Sequence, residues 1–246
     1  MNASLSAPQV LQRHQALFLD FDGTLVEIAA TPDSVEVPPE LPQLLRALSD
    51  RLDGALALVS GRPIDELTRL LAPFAGAMAG QHGLERRRSD GDVLRCAAPP
   101  ALDRIRPVLA GFAERHSGVR LEDKGNSLAL HYRQAPSLSA TCCDVVRHAA
   151  LASGGALKAI DGKMVIELLV QPSGKGGAIA AFLAEPPFRG RVPVFVGDDI
   201  GDEDGFAVVD RLGGTSVHVG AGATAARHRL ADVADVLAWL ARSVAG

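Results

Sequence analysis

Cysteine is scarce in this sequence. Of 246 residues, only Cys96 and the adjacent pair Cys142 and Cys143 are cysteines. Three cysteines form neither an even disulfide framework nor the paired spacing typical of a zinc site, so we expect neither feature. They fit small buried side chains in a reducing compartment, and we expect a cytoplasmic protein.

Long apolar runs and a basic excess are also lacking. No apolar run approaches the roughly 18 residues that a membrane-spanning helix requires. Residues 1–15 lack the basic start and apolar stretch of a signal peptide. The net charge is −4 and the isoelectric point about 6.0, whereas nucleic-acid binding usually needs a basic face. We therefore expect no membrane and no nucleic-acid partner. We also expect a monomeric protein.

Short apolar runs alternate with amphipathic stretches over most of the chain. The runs at 16–20, 54–60, 192–198 and 214–220 are bounded by Gly, Asp or Ser, which is typical of strands buried on both faces. Apolar residues at helical spacing lie between these runs. This alternation predicts an α/β fold, with a doubly wound, mainly parallel sheet covered by helices on both faces. We assign this core to residues 1–96 and 173–246 and expect residues 76–88 to add a core strand.

Residues 97–172 show a different pattern and predict an inserted α+β domain, with hinges near residues 97 and 172. Two amphipathic helical patterns cover 99–116 and 137–152. The strand patterns alternate between apolar and polar residues, as expected for a sheet with one packed and one open face. These four strands are predicted at 119–124, 126–133, 155–161 and 163–169.

Polar residues follow the strands of the predicted core, and Lys175 opens the helix that leads back into it. Ligands of open parallel sheets collect beyond the carboxyl ends of the strands. Several aspartates crowded there would repel one another unless a cation joined them, and oxygen ligands suit Mg²⁺. The acidic loop at 197–205 does not fit the calcium-binding EF-hand spacing, and the glycines around Lys175 do not fit a P-loop. The polar residues in question are Asp20, Asp22, Ser60, Asp198 and Asp199.

This set of side chains suits phosphoryl transfer. Lys175 and Ser60, together with a metal ion, are able to hold a phosphoryl group. An aspartate carboxylate can attack that group to form an aspartyl-phosphate. A second carboxyl two residues along the chain can protonate the leaving oxygen and later take a proton from water.

The order of these motifs resembles the haloacid dehalogenase superfamily of phosphohydrolases. The matching segments are "DFDGTL" (20–25), "SGR" (60–62), Lys175 and "GDD" (197–199). The resemblance implies that Asp20 is the nucleophile and Asp22 the general acid and base. It further implies that Ser60 and Lys175 bind phosphate. Mg²⁺ would be bound by Asp20, Asp198 and the backbone carbonyl of Asp22.

The predicted insert places six polar side chains on the open side of its sheet, and we call this set the polar face. Its mixture of donors and acceptors suits a ligand rich in hydroxyl groups, such as a sugar. A solvated face carrying surface ion pairs remains an equally good interpretation. The polar face comprises Glu122, Lys124, His131, Arg133, Lys163 and Glu167.

Longer segments resemble trehalose-6-phosphate phosphatases. They include "LEDKGNSLALHYR", "GKMVIELL", "GQHGLERR" and "FVGDDIGDEDGFAVVDRLGG". The resemblance implies Mg²⁺-dependent hydrolysis of trehalose 6-phosphate, the final step of trehalose biosynthesis. It places the polar face around the distal glucose and suggests that His82 lines the cleft from the core side. One departure is Gly201, which stands where the family usually has Thr in the metal loop.

Two other functions remain open at this point. One is a phosphatase for a different small-molecule sugar phosphate, such as sucrose phosphate. The other is a binding module that accepts a phosphoryl group on aspartate without turnover. The second is disfavoured because receiver-like modules lack both an inserted cap and an acid at the position of Asp22.

Overall fold

The computed structural model describes residues 6–29, 31, 34–96, 100–171 and 174–245. The chain divides into two compact units, Met1–Leu94 with Gly174–Gly246, and Arg95–Ser173. The predicted domain boundaries lie within two residues of this division. The predicted hinge positions 97 and 172 lie outside the described residues.

The first unit contains an eight-stranded sheet and five helices among its described residues. Before the second unit, the elements are β1 (Gln15–Leu19), α1 (Leu41–Arg51), β2 (Leu56–Val59), α2 (Ile64–Leu70), β3 (Ala77–Gly80), β4 (Glu85–Arg87) and β5 (Val93–Arg95). The second unit contributes α3 (Pro100–Arg115), β6 (Arg120–Asp123), β7 (Ser127–His131), α4 (Ser139–Ala152), β8 (Leu157–Gly162) and β9 (Val165–Val170). The chain then returns through α5 (Lys175–Leu183), β10 (Val192–Gly197), α6 (Glu203–Arg211), β11 (Thr215–Val219), β12 (His228–Leu230) and α7 (Val233–Ala245).

The large sheet is mainly parallel, as predicted. Its strand order is β12-β11-β10-β1-β2-β3-β4-β5, and neighbouring strands from β12 to β3 are parallel. β4 pairs antiparallel with β3. The prediction of one strand over 76–88 is therefore wrong, because a turn at Gln81–Gly83 reverses the chain and divides that segment into two strands.

Helices cover both faces of this sheet. Phe18 of β1 is in register with Phe195 of β10, so both side chains point to one face. Phe18 packs against Phe182 of α5 at 6.2 Å between ring centroids, and Phe195 packs against Phe206 of α6 at 5.3 Å. Val194 points to the opposite face, where it lines a cavity with Trp239 of α7. Since α1 packs against α7, the predicted doubly wound arrangement is confirmed.

The second unit has a four-stranded antiparallel sheet in the order β6-β7-β9-β8. α3 packs on β6 and β7, and α4 packs on β8 and β9. One side of the sheet is apolar because Leu121, Leu130 and Ile166 are in register across three strands. Glu122, Ala129 and Glu167 form the adjacent row and therefore point to the other side.

Within the described ranges, no helix combines the length and apolar character needed to cross a membrane.

Candidate active site at the carboxyl edge of the parallel sheet

Three residues of the first unit, predicted as the nucleophile, a phosphate-binding residue and a metal ligand, lie directly after neighbouring parallel strands. Asp20 follows β1, Ser60 follows β2 and Asp198 follows β10, with β1 lying between the other two strands. The carboxyl ends of parallel strands meet at one edge, so the fold brings these residues to a common site. The backbone N–H of Asp20 donates to the carbonyl of Val196 at 2.9 Å, which continues the pairing to the edge.

Lys175, the first residue of α5, is buried between two carboxylates. Its Nζ lies 2.8 Å from Oδ1 of Asp20 and 2.6 Å from Oδ1 of Asp202. Burial alone would lower the pKa of Lys175, but the two carboxylates raise it, so this side chain stays a cation. A fixed positive charge beside the predicted nucleophile is suited to hold the oxygens of a phosphoryl group.

Asp20, Asp198 and Asp202 form a buried group that we call the acidic cluster. Each residue offers one carboxylate oxygen, and these three oxygens lie within 4.8 Å of one another. The loop after β1 packs closely on Asp198, because a Cβ placed on Gly23 would lie 2.1 Å from Oδ2 of Asp198. Burial raises the pKa of Asp20 well above its usual value. The charges of Asp202 and Asp198 raise it further, and Lys175 opposes the shift.

The acidic cluster fits a divalent cation. Three buried carboxylates with one ammonium between them leave an excess of negative charge, and an all-oxygen donor set suits Mg²⁺. Asp202 is committed to the protein. One oxygen binds Lys175, and the other accepts the backbone N–H groups of Asp198 and Asp199 at 3.0 and 2.9 Å. Asp20 and Asp198 therefore remain the predicted metal ligands of this cluster.

Asp202 is a site residue that sequence reasoning missed. It is fully buried, and it completes a capping box with Asp199 at the start of the helical turn Ile200–Asp202. The signal was present as two acidic residues three positions apart, which is the spacing of a capping box. A capping role ordinarily leaves a side chain near the surface, so the spacing gave no indication of contact with Lys175.

The Asp22 side chain lies outside the acidic cluster and forms a two-point ion pair with Arg62. Nε and Nη2 of Arg62 each lie 2.7 Å from a different oxygen of Asp22. The Asp22 side chain is 36% exposed, while that of Arg62 is 9% exposed. The predicted general acid is thus more accessible than the predicted nucleophile, as a group that exchanges protons with water should be.

Ser60 and His82 are connected through a left-handed turn. Gln81, His82 and Gly83 all have positive φ, at 48°, 54° and 89°. The backbone N–H of His82 donates to the carbonyl of Ser60 at 3.0 Å, and its carbonyl accepts from Gly174 at 2.8 Å. The turn therefore joins the loop that begins at Ser60, which we call the serine loop, to the loop before Lys175.

His82 itself is buried against the serine loop. A Cβ on Gly61 would lie only 2.8 Å from Nε2 of His82, so a larger residue at this position would displace the imidazole.

Four members of the polar face are brought together on the sheet of the second unit. Nζ of Lys124 lies 2.8 Å from Oε1 of Glu167, and Nε2 of His131 lies 2.7 Å from Oε2 of Glu122. Burial tends to raise the pKa of Glu122. The hydrogen bond from His131 and the charge of Lys124 outweigh it, and the pKa is lowered.

The other two members of the polar face lie at the end of the sheet. Arg133 and Lys163 are both exposed, and Nη2 of Arg133 donates to the carbonyl of Lys163 at 3.1 Å. Arg133 lies beyond the end of β7, and Lys163 lies in the turn between β8 and β9. The Arg133 side chain therefore contacts the backbone of Lys163, and both residues are more exposed than the other four members of the polar face.

Comparison with known proteins gives a consistent result. The family model described as trehalose-phosphatase matches residues 18–235. A trehalose-6-phosphate phosphatase of Escherichia coli (strain K12) is 46% identical over 248 residues, covering 98% of this chain and 90% of that protein.

Two solved structures share the fold. The C-terminal domain of the C. albicans trehalose-6-phosphate phosphatase superposes with a TM-score of 0.85 at 22% identity, covering 100% of this chain and 99% of that one. A haloacid dehalogenase-like hydrolase from Bacteroides thetaiotaomicron superposes with a TM-score of 0.63 at 16% identity, covering 93% and 98%. These matches confirm the predicted fold class. Since the family model and the bacterial relative both cover most of the sequence, this chain belongs to the trehalose-phosphatase family.

Proposed function

We propose that this chain hydrolyses trehalose 6-phosphate to trehalose and phosphate, with Mg²⁺ as cofactor and an aspartyl-phosphate intermediate on Asp20. The observation that carries the proposal is the buried ion pair of Asp20 with Lys175, next to Asp198. It combines a fixed carboxylate, a permanent cation and a second carboxylate, which are the parts that phosphoryl transfer needs.

The first step is attack of an Asp20 oxygen on phosphorus. The bond between phosphorus and the sugar oxygen breaks, and Asp22 gives its proton to that oxygen. Lys175 holds the phosphoryl oxygens, and the Ser60 hydroxyl is suited to donate to them because its oxygen already accepts the Arg62 N–H at 3.1 Å. When bound by Asp20, Asp198 and the Asp22 carbonyl, Mg²⁺ would supply further positive charge at those oxygens.

The second step releases phosphate. Asp22, now a carboxylate, takes a proton from a water molecule as that water attacks phosphorus. The bond between phosphorus and Asp20 breaks, which restores the nucleophile and leaves Asp22 protonated for the next cycle. Its 36% exposure supports contact with water.

Selection of the substrate is assigned to the polar face of the second unit, acting as a specificity cap. The ion pairs of Lys124 with Glu167 and of His131 with Glu122 support this assignment, since both pairs keep donors and acceptors partly exposed on one side of the sheet. A disaccharide offers hydroxyl groups that match both kinds of group. Arg133, Lys163 and, in the first unit, His82 complete the proposed set of sugar-binding residues.

We also propose that the protein is a cytoplasmic monomer. The three free cysteines, of which Cys142 and Cys143 are buried and Cys96 is exposed, support a reducing compartment. Size-exclusion chromatography with light scattering tests the oligomeric state, and a dimer mass at micromolar concentration would contradict it.

The test of the catalytic proposal is phosphate release from three sugar phosphates, with Mg²⁺ and after its removal by EDTA. We expect kcat/KM for trehalose 6-phosphate to exceed the values for glucose 6-phosphate and sucrose 6-phosphate by at least about 10-fold. We expect EDTA to abolish release and added Mg²⁺ to restore it. Preference for sucrose 6-phosphate would identify a different sugar phosphatase. Release from none of the three would favour the module without turnover.

A further inference from the structure

Arg62 is nearly buried and pairs with the proposed general acid Asp22, although the catalytic steps assign Arg62 no role. It follows Ser60 and Gly61 after β2, and only 9% of its side chain is exposed. Its guanidinium binds both oxygens of Asp22 and, through Nη1, the carboxylate of Glu66. The guanidinium carbon of Arg62 lies 5.5 Å from the centre of the Phe21 ring.

The contacts of Arg62 hold the residue in one orientation. Glu66 lies four residues further along the chain, in the first turn of α2, and binds the guanidinium opposite Asp22. The backbone of Arg62 is also fixed, since its N–H donates to the Ser60 hydroxyl at 3.1 Å and its carbonyl accepts from Gln81 at 3.0 Å. The two carboxylates together raise the pKa of Arg62 in spite of its burial, so it remains charged.

Asp22 depends on this contact for its orientation. Its side chain is the more exposed partner, and an exposed aspartate ordinarily moves among several rotamers. A planar guanidinium that binds both oxygens fixes the plane of the carboxylate as well as its position. Each oxygen still retains a second acceptor site, because a carboxylate has about four in total. A proton can therefore be carried and delivered while Arg62 stays bound.

We propose that Arg62, anchored by Glu66, is the positioning residue that aims Asp22 at the leaving oxygen. The proposal rests on the proposed function and deepens it. When the bond between phosphorus and oxygen breaks, the proton moves from Asp22 to the departing oxygen, and Arg62 keeps the resulting carboxylate in place for the second step. A purely structural role would be to tie the loop after β1 to the loop after β2.

Leaving groups that differ in their need for a proton distinguish the two roles. The 4-nitrophenolate ion leaves readily without protonation. Phenolate and a sugar alkoxide are stronger bases, so their departure depends on a proton from the general acid. Loss of correctly aimed acid catalysis should therefore slow phenyl phosphate and trehalose 6-phosphate selectively. A general loss of structure should slow all three substrates alike.

The experiment measures kcat/KM for 4-nitrophenyl phosphate, phenyl phosphate and trehalose 6-phosphate in the full chain with Mg²⁺. The variants are Arg62→Gln and Arg62→Lys, with Arg69→Gln as control because Arg69 is exposed on the same helix as Glu66. General acid catalysis contributes about 10²- to 10⁴-fold. We therefore expect Arg62→Gln to slow phenyl phosphate at least about 30-fold more than 4-nitrophenyl phosphate. Arg62→Lys, which keeps the charge without the two-point contact, should show the same selectivity to a smaller degree.

Equal losses on the two aryl phosphates, in either variant, would overturn the proposal. If Arg62→Gln does not fold, as judged by near-UV circular dichroism, the ratio measured for Arg62→Lys decides. The aryl series does not depend on the natural substrate. A wild-type chain that hydrolyses aryl phosphates but not trehalose 6-phosphate would refute the proposed substrate and still test Arg62.

Discussion

The acidic cluster of the first unit and the polar face of the second both consist of paired charges, but they differ in exposure and in what holds them. Side chains of Lys175 and Asp202 are 5% and 0% exposed, and Asp202 is also bound by two backbone N–H groups. On the polar face, the Glu122 and His131 side chains are 19% and 25% exposed, and they pair with each other through their side chains.

This difference suits two tasks. Buried charges fixed by backbone groups form a preorganised field that need not rearrange during a reaction, which is where much of the catalysis of phosphoryl transfer arises. Partly exposed pairs between flexible side chains cost less to separate, so they can exchange partners with the hydroxyl groups of a ligand. We expect mutations in the acidic cluster to affect all substrates and those on the polar face to affect only large ones.

The largest expected effect follows from Asp20→Asn. The amide keeps the shape of the side chain but is a far weaker nucleophile and removes one partner of Lys175. We expect kcat to fall at least about 10⁴-fold for trehalose 6-phosphate and for 4-nitrophenyl phosphate alike. Phosphate release is the measurement, with Asp53→Asn, a change at an exposed ion pair with Arg13, as the control. Retention of activity on either substrate would refute Asp20 as the nucleophile.

A substrate-dependent effect is expected for Glu167→Ala. Glu167 lies 2.8 Å from Lys124 on the polar face. In the proposed complex Glu167 also accepts a hydrogen bond from a sugar hydroxyl. Loss of a hydrogen bond to a charged group costs about 1.5–3 kcal/mol, so kcat/KM for trehalose 6-phosphate should fall about 10- to 100-fold. The value for 4-nitrophenyl phosphate should change less than about 3-fold, because that substrate has no sugar.

The control for this change is Asp144→Ala, which removes an exposed carboxylate from α4 of the same unit. It should leave both substrates unaffected. If Glu167→Ala harmed both substrates equally, the polar face would not be the site of selection.

A smaller effect, on stability, is expected for Glu122→Gln. The folded-state pKa of Glu122 lies below its usual value of 4.5. Burial raises this pKa, but the hydrogen bond from His131 and the charge of Lys124 lower it by more. A carboxyl with a lowered pKa contributes stability that is present above about pH 4.5 and lost as the pH falls through the folded-state pKa.

Thermal unfolding between pH 7 and pH 3 measures this contribution. At pH 7 the variant should unfold about 2–6 °C below the wild type, and the gap should close as the pH falls below 4.5. Glu114→Gln, at an exposed position on α3, should unfold like the wild type throughout. A gap that stays constant with pH would show that charge on Glu122 is not its cause.

The sequence predicted the layers of the fold well because burial leaves a clear periodicity. The solid apolar run at 16–20 became β1, and the alternating pattern at 126–133 became β7. The prediction for segment 76–88 failed because the reversal depends on positive φ at Gln81 and His82, and residues other than glycine rarely adopt positive φ. Gly83, which also has positive φ, was the one glycine inside the turn, and a single glycine did not distinguish a chain reversal from a continuous strand.

The site was predicted less completely than the fold. Asp20, Lys175 and Asp198 could be proposed from the sequence because they fall at strand and helix ends, where spacing alone is informative. The pairings of Asp202 with Lys175 and of Arg62 with Asp22 join residues 27 and 40 positions apart. Contacts of that kind are set by how the loops pack, which no local pattern records.

The smallest expected effect concerns Gly201, the departure from the family's usual threonine. Gly201 has no positive φ, and a Cβ placed on it would contact nothing within 4 Å. Gly201→Thr should therefore be accommodated and, by restricting the unfolded chain, should stabilise by about 0.4–1 kcal/mol. Activity should change less than about 2-fold, because Asp198 and Asp202 keep their backbone contacts. Urea unfolding and phosphate release test both values. A large gain in activity would instead mean that the glycine loosens the acidic cluster, and the contrast between a rigid cluster and an adaptable polar face would have to be abandoned.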